Sequence, residues 1–194
     1  MKHKIANFIS VIGHPLLTIP LFVSVVMFGF EDFGKASFIS LLIIGCIFVP
    51  IILWMFFKSR NGSYTNFDVS DRNQRKSVFV FIIPFMLVVT AILFFTRQSQ
   101  NLCISVLCAT ILIIFSQVLN LFIKSSLHVS LNIYLSFLVM PINFAVGILI
   151  FILTGFIGWS RIELGRHTLK EVLTGAGAGL IISLLMLQLE GKLF

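Results

Sequence analysis

Long uncharged runs of apolar residues extend through this chain and limit its possible folds more than any other feature. Neither Ala6 to Phe30 nor Ala36 to Phe57 contains an aspartate, glutamate, lysine or arginine. At about 1.5 Å per residue, a helix of either length crosses a hydrocarbon layer about 30 Å thick. Only 11% of the 194 residues are charged, too few to cover a water-soluble globule. The sequence therefore predicts an all-α, polytopic integral membrane protein.

The later apolar runs complete a predicted bundle of six to seven transmembrane helices. These spans are predicted at Val78 to Thr96, Leu102 to Ile123, a pair within Val129 to Trp159, and Val172 to Leu189. The run from Val129 to Trp159 is too long for one crossing and too short for two ordinary ones. Pro141 near its centre predicts a break, and hence two short helices, the fifth and sixth, of about 15 residues each. That hairpin would bring His128 and Arg161 to one face of the membrane.

The spans occupy almost the whole chain, so we expect a single membrane-embedded domain over residues 1–194. Within it, residues 1–57 form a predicted N-terminal helical hairpin and residues 58–194 a core. The basic start, Met1 to Lys4, precedes a run that is too long for a cleaved signal peptide, which predicts a retained first helix. Glycines at 175, 177 and 179 predict close packing of the last span against a neighbour.

Three polar segments interrupt the apolar runs, and the predicted topology places all of them on the side of the N-terminus. They are Lys58–Lys76, Lys124–His128 and Trp159–Glu171. Ionisable groups at the edge of membrane spans are costly and commonly functional. Arginine and serine side chains bind phosphoryl oxygens, and an imidazole can attack phosphorus when a carboxylate orients it. His167 and Glu171, four residues apart, share a face of any helix that begins there. The pattern favours phosphate chemistry.

The third polar segment resembles a motif of the superfamily of type 2 phosphatidic acid phosphatases and vanadium haloperoxidases. That superfamily carries a lysine six residues before Arg-Pro, then Pro-Ser-Gly-His, and then Ser-Arg, five residues, His, three residues and Asp. Ser160-Arg161, His167 and Glu171 match the third motif at every spacing, with glutamate in place of aspartate. The match is specific in this segment.

The first and second motifs are matched in part. In the second, Ser125-Ser126-Leu127-His128 keeps the serine and the histidine and replaces the proline and the glycine. In the first, Arg75 takes the place of the arginine, Lys76 that of the proline and Asp68 that of the lysine. The resemblance extends from Arg72 to Glu171 and leaves the first hairpin unexplained.

The resemblance implies a role for each matched residue. His167 would become a phosphohistidine, His128 would protonate the leaving oxygen, and Glu171 would orient His167. The expected phosphate-binding groups are Arg75, Arg161, Ser126 and the backbone N–H of Leu127, with Arg72 and Lys124 as further candidates. Glu163 is an alternative partner for Arg166 or His167. His3 and His14 are interpreted as ordinary histidines near span ends. No metal or cofactor is predicted.

The expected function is a metal-independent lipid phosphatase that hydrolyses a phosphomonoester or diphosphate on a membrane lipid. Its partners would be that lipid and the bilayer, with no nucleic acid involved. Two alternatives stay open. One is a prenyltransferase-like enzyme in which Asp68-Val69-Ser70-Asp71 holds a magnesium diphosphate. The other is a non-catalytic protein that binds or transports lipids.

The expected location is the inner (plasma) membrane of a bacterium, with two opposing indications of orientation. Of the 14 lysines and arginines, only Lys35, Arg97 and Lys192 lie on the face opposite the polar segments. The positive-inside rule then places the polar face in the cytoplasm. Resemblance to bacterial lipid phosphatases favours the opposite orientation, and several of the basic residues are themselves candidate phosphate ligands.

Overall fold

The computed structural model describes residues 1–65, 68–69 and 71–192, and within these ranges it contains helices and no strand. The helices are α1 (Lys2–Ile12), α2 (Pro15–Phe30), α3 (Phe33–Ser40), α4 (Val49–Arg60), α5 (Arg72–Phe95), α6 (Gln100–Asn120), α7 (Leu127–Val139), α8 (Phe144–Glu163) and α9 (Leu169–Leu189). A π-helical stretch, Leu41–Phe48, joins α3 to α4 in one continuous span.

Among the residues that the structure describes, five helical segments are long and apolar enough to cross a membrane, and the bent pair α1–α2 makes a sixth when counted as one span. They are Phe33–Arg60, Arg72–Phe95, Gln100–Asn120, Phe144–Glu163 and Leu169–Leu189. The predicted all-α membrane bundle is confirmed.

The first predicted span is broken in its middle. α1 and α2 meet at an angle of 43°, because Pro15 lacks an N–H and disfavours a helical conformation in the residue before it. His14 is accordingly extended, and its Nδ1 accepts a hydrogen bond of 3.1 Å from the backbone N–H of Leu16. At Gly13 a Cβ would lie only 2.4 Å from a side chain of α8. The break therefore places the His14 side chain inside the bundle and not near a span end.

α7 and α8 form the predicted hairpin. α7 ends at Val139 and α8 begins at Phe144, with the side chain of Asn143 accepting a hydrogen bond from the N–H of Val146. α7 is short, with 13 residues. α8 has 20 residues and is longer than predicted, because it continues through Arg161 to Glu163.

The loop before α5 ends earlier than the predicted boundary at Lys76. The Asp71 carboxylate accepts hydrogen bonds of 2.9 Å from the N–H groups of Asn73 and Gln74, which begins the helix at Arg72. Arg75 therefore lies in the first turn of α5 and is buried.

The N-terminal hairpin packs directly onto the core. α1 contacts α8, and α2 contacts α7. α9 approaches α7 so closely that a Cβ at Gly175 would lie 2.5 Å from the Ser126 carbonyl oxygen, and one at Gly179 2.7 Å from that of Ser130. A Cβ at Gly177 would meet nothing within 4 Å. The predicted close packing of the last span thus holds at Gly175 and Gly179.

We expect Gly175→Ala to destabilise the protein, because its methyl group collides with the backbone of Ser126. Overpacking of this kind typically costs about 1–3 kcal/mol. Thermal unfolding of the purified protein in detergent measures the effect. Gly177→Ala is the matched control on the same helix and should leave the midpoint almost unchanged. Equal midpoints for the two variants would contradict the close contact.

The topology predicts which loops share a membrane face. In a background without the native cysteines, single cysteines at Ser63 and Lys170 should react with an impermeant thiol reagent from one side of sealed vesicles. A cysteine at Ser99 should react from the other side, because α5 separates it from Ser63. All three positions are exposed, and a permeant reagent provides the control. Labelling of Ser63 and Lys170 from opposite sides would contradict the fold.

Candidate functional site

The start of α9 fixes the pairing of His167 with Glu171. The Thr168 hydroxyl accepts a hydrogen bond from the Glu171 N–H at 3.3 Å, and Glu171 Oε2 accepts one from the Thr168 N–H at 3.1 Å. The same Oε2 lies 2.9 Å from Nδ1 of His167. This capping box therefore orients the carboxylate towards the imidazole. The sequence signal of this capping box is Thr-x-x-Glu before an apolar run, here Thr168 to Glu171.

The start of α7 lies next to the start of α9. Its N-cap residue, Ser126, is 0% exposed, and its N–H donates to the Glu171 carbonyl at 3.1 Å. The Ser126 hydroxyl makes no hydrogen bond to any residue that the structure describes. The first N–H groups of a helix have no acceptor within the helix and form its positive end. The start of α7 is therefore a favourable place for an anion to bind.

Two buried guanidinium groups lie beside these helix ends. Arg75, 5% exposed, donates through Nη1 to the Ser125 carbonyl at 2.7 Å. Arg161, 1% exposed, donates through Nη1 to the hydroxyl of Ser10 on α1 at 2.9 Å. Within the described residues, Nε of Arg161 has no hydrogen-bond partner. Buried charges are costly unless paired, so this part of the bundle requires negative charge.

Asp68 supplies that negative charge. It lies at the centre of a cluster formed with His14, His128, Arg161 and Arg166. Its Oδ2 accepts hydrogen bonds from Arg161 and Arg166. Its Oδ1 lies 3.3 Å from Nε2 of His128 and 3.4 Å from Nε2 of His14. Sequence reasoning placed Asp68 at the lysine position of the family motif, assigned His14 no role in the site and did not include Arg166 among the expected phosphate-binding groups. These contacts connect the first hairpin, the loop before α5 and the α8–α9 turn.

Lys124 lies at the edge of the cluster. Its Nζ donates to the Arg166 carbonyl at 2.8 Å and lies 3.8 Å from Oε2 of Glu171.

Arg72 lies outside the cluster: its Nε donates to the Asn120 carbonyl at 2.7 Å, at the end of α6. Arg72 thus caps a neighbouring helix, and the structure gives no support to its predicted role in phosphate binding.

The two remaining sequence candidates, Leu127 and Glu163, lie in different surroundings. Leu127 is the first residue of α7, where its N–H belongs to the positive helix end. Glu163 is exposed, and the partner of His167 is Glu171.

Potential metal ligands also meet in this cluster: His14 Nε2, Asp68 Oδ1 and His128 Nε2 lie within 4.8 Å of one another. The Nδ1 of His14 accepts the Leu16 N–H, which places the proton of the neutral ring on Nε2 and prevents that atom from ligating a metal. The same carboxylate also binds two guanidinium groups, which repel a cation. The arrangement fits an anion better than a metal ion.

The acidic cluster of the prenyltransferase alternative is divided in the structure. Asp71 caps α5, whereas Asp68 pairs with arginines. Ser70 lies outside the described residues. The two described carboxylates therefore do not form a common magnesium site.

The electrostatics of the α8–α9 turn keep His167 neutral at neutral pH. Burial lowers the pKa of His167, and the nearby guanidinium groups of Arg75 and Arg161 lower it further. Burial also lowers the pKa of Lys124 and of Arg166. A neutral imidazole has the free electron pair that nucleophilic attack requires.

No protein-family model matches this chain, and no curated protein or solved structure is significantly similar to it. The functional inference therefore rests on the chemistry of the cluster and on the motif spacing in the sequence.

Proposed function

We propose that this protein is a metal-independent lipid phosphatase that acts through a phosphohistidine intermediate. The observation that carries the proposal is the contact of 2.9 Å between His167 Nδ1 and Glu171 Oε2, set beside two buried arginines. An imidazole held by a carboxylate is a nucleophile when its second nitrogen can reach an electrophile. Buried guanidinium groups supply the fixed positive charge that a phosphoryl transition state needs.

The chemistry takes two steps. In the first, Nε2 of His167 attacks phosphorus, the bond to the leaving oxygen breaks, and His128 gives that oxygen a proton. Glu171 stabilises the resulting positive charge on the His167 ring. In the second, water attacks phosphorus, the bond between phosphorus and Nε2 of His167 breaks, His128 accepts the proton from water, and inorganic phosphate leaves with His167 restored. Arg75 and Arg161 hold the phosphoryl oxygens throughout.

An apolar groove supports a lipid substrate. A cavity of about 790 Å³ lies between the bent pair α1–α2 and the α7–α8 hairpin, and its lining includes Phe22, Leu135 and Ile150. Gly13 and Asn132 also line it. The Asn132 amide donates hydrogen bonds to the Gly13 carbonyl at 2.9 Å and the His128 carbonyl at 2.7 Å. An acyl or prenyl tail in this groove would place its head group beside the cluster.

We also propose that the chain is a divergent member of the superfamily of type 2 phosphatidic acid phosphatases, located in a bacterial inner membrane. The kept spacing of Ser160-Arg161, His167 and Glu171 supports this assignment. So does the meeting of the third motif with Ser126 and His128, which the α7–α8 hairpin brings to the same end of the bundle.

We expect His167→Ala to abolish phosphate release, because no other group of the proposed site takes the place of the nucleophile. Loss of a nucleophile should lower turnover roughly 1,000-fold or more. The measurement is phosphate release by purified protein from a panel of lipid monophosphates and diphosphates. His3→Ala, an exposed histidine at the N-terminus, is the control and should retain activity.

The same assay separates the alternatives. Activity that persists in EDTA supports the proposal, whereas strict dependence on magnesium would favour the prenyltransferase alternative. Near-normal activity of a folded His167→Ala protein would disprove the mechanism. Absence of phosphate release by the wild type from every lipid of the panel would support a non-catalytic lipid-binding protein.

His128→Ala should slow the substrates with poor leaving groups most. A lipid alkoxide needs a proton as it leaves, whereas a nitrophenolate needs little help. We expect the ratio of nitrophenyl phosphate to lipid phosphate turnover to rise by about tenfold or more. Equal slowing of both substrates would remove His128 from the acid role.

A further inference from the structure

The positively charged groups of the cluster already bind a carboxylate of the protein itself, that of Asp68. The Asp68 side chain is 8% exposed, and Arg161 and Arg166 donate to its Oδ2. On its other side, His128 and His14 lie 3.3 and 3.4 Å from Oδ1. Four groups that can carry or share positive charge thus surround one carboxylate.

The position of this carboxylate matches the position required of a phosphoryl group. Arg161, which binds Oδ2, is the guanidinium that the proposed mechanism assigns to the phosphoryl oxygens. His128, which faces Oδ1, is the acid assigned to the leaving oxygen. The two carboxylate oxygens therefore stand in for one equatorial oxygen and the leaving oxygen of a substrate. A phosphate and the Asp68 carboxylate would compete for the same donors.

The backbone next to Asp68 is strained. Val69 is buried and has φ +45°, a left-handed conformation that is rare for a β-branched residue. Conformations of this kind cost about 1–3 kcal/mol and persist only where the surrounding contacts enforce them. Here those contacts include the ion pairs of Asp68. Release of Asp68 would remove this strain and leave Arg161 and Arg166 to a new anion.

We propose that Asp68 is an internal occupant of the phosphate site, which a substrate phosphoryl group must displace before it can bind. The proposal rests on the proposed function for the identity of the ligand. Asp68 then sets the affinity of the site for phosphate. It also favours substrates with more negative charge, because a diphosphate competes with one carboxylate better than a monophosphate does.

The test is the binding of inorganic phosphate to the purified full-length protein, measured by isothermal titration calorimetry. Asp68→Asn removes the competing charge, so its dissociation constant should fall by about tenfold or more, the scale of one charge-assisted hydrogen bond. Asp71→Asn is the matched control: it removes the same charge three residues away, keeps a good helix cap, and changes a carboxylate that accepts its hydrogen bonds from the backbone of Asn73 and Gln74. Its affinity for phosphate should equal that of the wild type.

Weaker or unchanged phosphate binding by a folded Asp68→Asn protein would overturn the proposal and make Asp68 a structural ion-pair partner of the arginines. Absence of phosphate binding to both proteins would overturn it as well. Phosphate binding is measured independently of turnover. A wild-type protein that binds phosphate but has no phosphatase activity would therefore contradict the proposed enzymatic function and leave the inference about Asp68 intact.

A measurement on the wild type covers the case in which Asp68→Asn fails to fold. Hydrogen exchange is followed for the peptide that contains Asp68 and Val69, with and without saturating inorganic phosphate. Displacement of Asp68 predicts faster exchange in this peptide on phosphate binding. Slower or unchanged exchange would mean that Asp68 stays in place, which contradicts the proposal.

Discussion

The burial of positive charge in an apolar helical bundle is the constraint on which the rest of this structure depends. Arg75 and Arg161 are 5% and 1% exposed, and isolated charges at such depth would be prohibitively costly. Three separate elements therefore converge to satisfy them: the hydroxyl of Ser10, the carbonyl of Ser125 and the carboxylate of Asp68. The convergence joins the first hairpin, the α6–α7 loop and the loop before α5 at one end of the bundle.

Helix termini position most of the polar groups at that end. Pro15 breaks the first span and aims His14 inward, and Thr168 begins α9 with a capping box that orients Glu171. Ser126 begins α7, and Gly175 lets α9 approach its backbone. Membrane helices satisfy their own backbone groups, so their ends are where side chains and unpaired N–H groups can meet a polar ligand.

The sequence predicted the parts of the site that depend on local spacing. His167 and Glu171 are four residues apart at a helix start, and their contact follows from helix geometry. The hairpin at Pro141 followed from the missing N–H of proline, and it correctly brought His128 and Arg161 together. Arg72, placed with the phosphate ligands from the sequence, instead caps α6, because no local pattern distinguishes an arginine that binds a ligand from one that binds carbonyls.

The sequence by itself determined the helical membrane class and the break at Pro141, and it favoured the pairing of His167 with Glu171, because hydropathy and helical periodicity are properties of neighbouring residues. Only the tertiary structure decided that Asp68, His14 and Arg166 belong to the same cluster. Asp68 is 54 positions from His14 in the sequence and 93 from Arg161, so no periodicity connects them. Their meeting is set by the need to pair buried charge, which acts through space between helices and leaves no mark on the spacing of residues along the chain.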